Sequence, residues 1–216
     1  MKSDPALKSD VEAELKWVPN IDESHIGVVV NKGVVTLSGT VRTYLEKYDA
    51  ERAIKRLSGV AGVANEIEVR LATDAMRPDS EIAENIARGL RTELPPGTVI
   101  KVMVDQGRVT LEGTVEWHFQ RQSAEHIARR QKGVSFVLNL IFVEPKVQPR
   151  DIKRRIQSAF HRHAQIDADH ITVVTDGGVV TLRGSVPTWT EREEAQETAW
   201  QAPGVTEVRN EIAIGI

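Results

Sequence analysis

Six histidines, two clusters of charge and four tryptophans are the residues of this 216-residue chain whose types could do chemistry. His25 and His170 share one slot, in Ile21-Asp-Glu-Ser-His-Ile26 and Ile166-Asp-Ala-Asp-His-Ile171, and Val99 stands at the corresponding place between them. A metal or acid–base centre needs convergent partners. These two lie far apart at strand entrances, which suits capping or pairing. His161 and His163 are two residues apart on a helix and so face different ways. His118 and His126 are eight apart, two helical turns, too far for one ion without outside ligands. There is no cysteine, which excludes disulfides, thiolate nucleophiles, zinc–cysteine sites and iron–sulfur clusters. No metal site is expected.

Carboxylates are plentiful, but no pair sits in an apolar setting that would raise a pKa for general-acid work. Glu191, Glu193, Glu194 and Glu197 read as a solvated helix face. Asp176-Gly-Gly178 connects two strands and opens no helix, so it is not a phosphate loop. No serine stands in a nucleophile elbow. The chain reads as non-enzymatic, with no catalytic residue and no cofactor.

The basic cluster is more informative. Between Lys146 and His163 stand Lys146, Arg150, Lys153, Arg154, Arg155 and Arg162 against one acid, Asp151, a net of +5. With Ile152 and Ile156 turned inward, Arg150, Arg154 and His161 project outward and Lys153 and Arg155 flank them. Arg150, Lys153, Arg154, Arg155 and His161 are the candidate lipid- or anion-binding set, each cation worth on the order of 1 kcal/mol near an acidic membrane. The plainer reading is a solvated face that pairs with the acids from Glu191 to Glu197. Arg129, Arg130 and Lys132 form a smaller patch. Trp117 and Trp189, which open two helices one position out of register, are candidate partner-contact residues, or else packing between repeats. Trp17, beside Val18-Pro19, is expected in the core.

The overall balance gives no bias towards nucleic acid: net charge is -3, pI is about 6.1 and 5% of residues are aromatic. No stretch approaches the roughly 18 apolar residues of a membrane span. The N-terminus carries charges where an export signal needs an apolar core. That predicts a soluble cytoplasmic protein, periplasmic only if an export signal has been removed.

The elements that must position these residues come in three copies. Gly33-Val-Val-Thr-Leu-Ser-Gly-Thr-Val41, Gly107-Arg-Val-Thr-Leu-Glu-Gly-Thr-Val115 and Gly178-Val-Val-Thr-Leu-Arg-Gly-Ser-Val186 align directly. A later block, Gly-Val leading to Asn65-Glu-Ile, Asn139-Leu-Ile and Asn210-Glu-Ile, keeps the same offsets. Each copy reads as helix, strand, strand, helix, strand. The first helices carry one buried stripe each: Leu7, Val11, Leu15; Ile82, Ile86, Leu90; Ile152, Ile156, Phe160. Their starts are marked by Asp4-Pro5, Asp79-Ser80 and Gln148-Pro149, where Asp or Ser caps and proline suits the first turn.

Asn31-Lys-Gly33, Asp105-Gln-Gly107 and Asp176-Gly-Gly178 fit three-residue hairpins with the last glycine left-handed. The glycine of Thr-Leu-x-Gly is expected to end the second strand at a bulge or close backbone approach. Ala50, Ala124 and Ala195 let the second helix sit close on the sheet, and Gly59, Gly133 and Gly204 are its stop. The fold class is α+β, in units 1–71, 78–145 and 148–216. Linkers are short, so the units are closely tethered. At about 70 residues each is small for a self-sufficient core, and the units should pack on one another.

On the Gly-x-Val-Thr-Leu-x-Gly-x-Val block, the later Gly-Val and the closing Val-x-Asn-x-Ile/Leu-x-Val, the chain resembles the BON family, the bacterial OsmY and nodulation domain, three times over. Val115-Glu-Trp-His-Phe-Gln-Arg-Gln-Ser-Ala-Glu125 looks like the central domain of three-BON proteins of the osmotically inducible, transport-associated type. The resemblance implies an αββαβ sandwich, a three-stranded mixed sheet packed on two helices. It also implies phospholipid-surface binding in some members and chaperone-like or envelope-protective roles in others. The expected partner is therefore an anionic membrane surface or a client protein, with small-ion binding the remoter reading.

Overall fold

The computed structural model describes residues 2–146, 151–162 and 170–215. Module one runs α1 (Asp4–Trp17), β1 (Ile26–Asn31), β2 (Val34–Val41), α2 (Tyr44–Lys55) and β3 (Gly62–Val69). Module two repeats this as α3 (Asp79–Glu93), β4 (Val99–Asp105), β5 (Arg108–Val115), α4 (His118–Arg129) and β6 (Phe136–Val143). Module three has α5 (Ile152–Phe160), β7 (Ile171–Asp176), β8 (Val179–Val186), α6 (Trp189–Trp200) and β9 (Glu207–Ile214). In each three-stranded sheet the middle strand pairs antiparallel with the first and parallel with the third. The hairpin makes the first pairing, and the crossover through the second helix makes the other. The sheets are therefore mixed.

The three stripes of the first helices are buried, each in its own core with the inward residues of the middle strand (Val35 and Leu37, Val109 and Leu111, Val180 and Leu182). Ala50, Ala124 and Ala195 are fully buried where the second helix meets the sheet. One asparagine per module ties that helix to the edge strand. Asn65 Nδ2 donates to Lys47 O and Glu51 Oε2, while its Oδ1 accepts from Ile67 N. Asn139 does the same with Arg121 O, Glu125 and Ile141 N, and Asn210 with Arg192 O, Gln196 and Ile212 N.

Several local expectations need correcting. The hairpin loops have two residues, because Asn31 pairs with Val34, Asp105 with Arg108 and Asp176 with Val179. Lys32 and Gly33, like Gln106 and Gly107, both take positive φ, as a type I′ turn requires; in module three the left-handed glycine is Gly177, not Gly178. Asp4 and Asp79 do not cap their helices. Asp4 accepts from Lys32 N at 2.8 Å and Gly33 N at 3.0 Å, and Asp79 accepts from Gln106 N and Gly107 N at the same distances. The carboxylate braces a turn that holds a non-glycine residue left-handed. Module three has proline at the matching position, Pro149, and puts glycine in the turn, where no brace is needed. The helix start expected at Gln148-Pro149 lies outside the described residues.

Gly39, Gly113 and Gly184 lie inside their strands, two residues before the end, because a Cβ there would collide with the carbonyl oxygen of His25, Val99 or His170. Gly59, Gly133 and Gly204 do not stop the second helices, which end four residues earlier; at φ near 90° they turn the chain into the last strand. Trp17 is not in the core. It is 84% exposed, because its place after Leu15 turns it off the buried stripe.

Replacing Asp79 by Ala should cost about 1–3 kcal/mol in urea unfolding, since two charge-assisted hydrogen bonds, one to an exposed and one to a part-buried amide, are lost and Gln106 loses its brace. Adding Gln106→Gly should recover part of that loss, as module three does; an unchanged double variant would refute the bracing role.

Candidate functional site: the module junctions and a basic groove

Tyr44, His118 and Trp189 are the first residues of the three second helices, and each leaves its own module. Tyr44 packs on the core of module two, its ring edge-on to Phe136 with centroids 6.0 Å apart. Trp189 packs on the core of module one and donates from Nε1 to Val60 O at 3.1 Å. His118 stacks on Trp200 of module three, centroids 4.4 Å apart and planes within 6°. One reaches two, two reaches three, and three reaches back to one. The contacts close a cycle.

The last residues of the same helices complete each junction. Lys55 Nζ meets Glu193 Oε1 at 2.7 Å and Glu51 Oε1 at 3.0 Å. Arg129 lies 3.5 Å over the Tyr48 ring and pairs with Glu125. Trp200 carries the His118 stack, beside which Glu197 Oε2 accepts from Gln122 Nε2 at 2.5 Å and lies 3.4 Å from His118 Nε2. Between α2, α4 and α6 opens a polar cleft of about 910 Å³, lined by Arg52, Lys55, Arg121, His126, Glu193 and Glu197 among others. The acids on α6 are therefore not a solvated face. Glu193 and Glu197 sit in junctions, and Glu191 hydrogen-bonds Thr188 at the helix start. What sequence reasoning missed was the alignment of Tyr44, His118 and Trp189 on one position, the signal that could have found these contacts.

Burial shifts several groups. It pushes the Tyr44 phenol up, and it pushes the Asp49 carboxyl up against the pull of Arg52 and Arg129. Burial also acts to raise Glu51, but hydrogen bonds from Asn65 and Lys55 outweigh it and hold the carboxyl below the usual value of 4.5.

The basic helix lies elsewhere, on the outside of module three. Lys153, Arg154, Arg155, His161 and Arg162 are exposed. Arg154 approaches Asp151 at 3.3 Å. Arg154, Arg155, Ser158 and Arg162 face Thr198 and Gln201 across a groove of about 540 Å³. Arg150 and His163 lie outside the described residues. Trp117 is half-buried at the start of α4, and Trp189 belongs to the junction with module one. Among the described residues no group of three or more His, Cys, Asp or Glu could hold a metal ion, and no helix is long and apolar enough to cross a membrane. His25 Nδ1 lies 3.2 Å from Asp22.

The architecture is that of a tandem α+β module built three times. The BON domain family matches residues 3–70, 78–145 and 150–215, and the chain belongs to that family. It is 33% identical over 141 residues to osmotically-inducible protein Y of Escherichia coli K12, covering 63% of this chain and 70% of that protein. An uncharacterised protein in the gshII 5′ region of Anaplasma centrale is 32% identical over 116 residues, 50% of this chain and 77% of that protein. Among solved structures, CdsD, a structural protein of the type III secretion system of Chlamydia trachomatis, is 18% identical, covers 96% of this chain and 91% of its own, and has a TM-score of 0.26.

Trp189→Ala should open the junction between modules one and three. The radius of gyration in small-angle scattering should rise while far-UV circular dichroism stays unchanged; an unaltered radius would count against a closed cycle. Because Glu51 titrates lower when folded, its contribution is fully present above the ordinary pKa and is lost as pH falls through the folded value. Wild-type stability should therefore drop across that acidic range more steeply than that of Glu51→Gln, measured by thermal melts at stepped pH.

Proposed function

We propose that this chain is a non-enzymatic binding protein that attaches peripherally to anionic phospholipid surfaces through the outer face of α5, in osmotic or envelope stress adaptation. We take its three domains as 1–71, 78–145 and 148–216. One observation carries the reading: the equivalent first helices differ in sign. Helix α1 has Asp4, Asp10, Glu12 and Glu14 against Lys8 and Lys16, and α3 is likewise acidic, while α5 has Lys153, Arg154 and Arg155 with no acid. The groove beside it presents Arg154, Arg155 and Arg162, whose guanidinium forks suit phosphate oxygens. His161 is exposed just past α5, and Arg150 belongs to the same basic run in the sequence. The acids of α6 that would neutralise it point to the junctions instead. Because only one first helix is cationic, attachment rests on module three and not on three equal contacts. Cytoplasmic localisation is part of the proposal, since the acidic leaflet lies on that side.

Flotation with acidic and with neutral liposomes tests it. Binding to acidic vesicles should fall with salt and weaken by at least about a hundredfold when Lys153, Arg154 and Arg155 become Glu. Salt-insensitive binding, or a variant that still floats, would sink the reading.

A second reading, a chaperone-like or scaffold protein-interaction module, draws on the outer face of the second sheet. There Leu138, Leu140 and Phe142 on edge strand β6, with Val99 and Met103 on β4, are exposed, Phe142 by 74%. The matching residues of β3 are Ala64, Glu66 and Glu68, and those of β9 are Arg209, Glu211 and Ala213. An apolar row on an open edge suits an extended client segment. This reading requires suppression of client aggregation at equimolar ratio and its loss in a Leu140→Lys, Phe142→Lys variant; no suppression by the wild type would dismiss it.

A further inference from the structure

The three junctions use the same helix positions, and two of them receive a cation from the chain itself. Lys55 fills that position in module one and meets Glu193; Arg129 fills it in module two and lies over the Tyr48 ring. In module three the position is Trp200, and the acid one turn earlier, Glu51 or Glu125 in the other modules, is Gln196. The junction between modules two and three thus has no lysine or arginine at that helix position, yet it keeps a carboxylate. Glu197 is met by Gln122 Nε2 at 2.5 Å and by His118 Nε2 at 3.4 Å, with no lysine or arginine among its described partners.

Around that carboxylate the chain gathers aromatic rings. A pocket of about 170 Å³ is lined by Trp117, His118, Phe119, Gln122, Glu197 and Trp200, in a chain with only 5% aromatic residues. The stacked rings of His118 and Trp200 and the 54% exposed Phe119 are part of its lining. His118 Nδ1 is buried without a hydrogen-bond partner, so the imidazole is held by stacking and by its Nε2 contact alone.

We propose that this pocket binds a small organic cation of the trimethylammonium type, which takes the place that Lys55 and Arg129 fill at the other two junctions. Ring faces carry the negative end of the aromatic quadrupole and attract a weakly hydrated cation, while Glu197 supplies the formal counter-charge. An anion would be repelled by Glu197. A hard inorganic cation would want a shell of oxygen ligands, and the lining offers one carboxylate among rings and amides. The volume is well below the roughly 300–1,000 Å³ of pockets for drug-sized molecules, which restricts the ligand to a few heavy atoms or to one headgroup. Gln201 borders both this pocket and the basic groove on α5, but none of that groove's arginines lines the pocket, and the proposal does not depend on them.

The test is titration of the full chain with choline, with tetramethylammonium and with the uncharged tert-butyl isostere of choline, at constant ionic strength. Tryptophan fluorescence and calorimetry provide the readout. Both cations should bind saturably in the millimolar range or tighter, and the isostere at least about tenfold more weakly. Gln122→Lys, an exposed substitution that sets an ammonium group beside Glu197, should abolish binding with circular dichroism and melting temperature unchanged, and Phe119→Ala should weaken it. Phosphatidylcholine vesicles separate the two sources of the group: flotation competed by free choline identifies a lipid headgroup, and choline binding without flotation identifies a free solute. No saturable response to either cation, equal affinity for the isostere, or wild-type binding by both variants would overturn the proposal.

Discussion

One side-chain amide per module sets the geometry on which the rest depends. Asn65, Asn139 and Asn210 each stand on an edge strand, donate to a carbonyl in the first half of the second helix and to the side chain one turn later, and accept from the strand amide two residues on. A helix packed by small apolar residues alone, here Ala50, Ala124 and Ala195, can slide or roll on a sheet at little cost. Three directed hydrogen bonds remove that freedom, because each broken bond would strand a partly buried polar group. With the roll angle fixed, the two ends of the helix are aimed: the first residue outward onto a neighbour's core, the last towards the neighbour's helix.

The second constraint is size. A unit of about 70 residues buries too little surface to be comfortably stable alone. Its two helices pack on the sheet, and the junctions then seal two of the three cores with a side chain from another unit. Tyr44 on module two and Trp189 on module one do this directly. Each junction has its own chemistry: an ion pair at Lys55, a cation over a ring at Arg129, a ring on a ring at Trp200. Three different locks on three like modules favour one cyclic order over the alternatives, since a wrong pairing would leave Glu193 facing Trp200 without its cation.

The proposed functions divide along the same line. The shared motif builds the scaffold, and what varies sits on it: a cationic α5, an apolar outer face on the second sheet, and an aromatic pocket where a junction lacks its own cation. The basic groove and the pocket both reach the end of α6, where Gln201 borders each.

How much of this was legible in the sequence follows the range of the interactions. The threefold repeat, the order of elements, the buried stripes and the close approach at Gly39, Gly113 and Gly184 follow from periodicity and from which residues a backbone tolerates. These are local matters, settled by steric limits on φ and by the spacing of apolar side chains. Turn details were misjudged where a distant group intervenes: Lys32 and Gln106 hold left-handed φ because Asp4 and Asp79, more than 25 residues earlier, accept their amide hydrogens. Trp17 was misplaced because size and apolarity suggest burial, whereas helical phase decides it. The acids of α6 looked solvated because their partners, Lys55 and Gln122, lie in other modules, the former 138 residues away. Only tertiary structure could decide that the three modules form a cycle and which of the equivalent helix ends would meet a carboxylate, a phenol ring or an imidazole. Such pairings depend on the closing of long loops, and no local pattern encodes which distant side chain arrives.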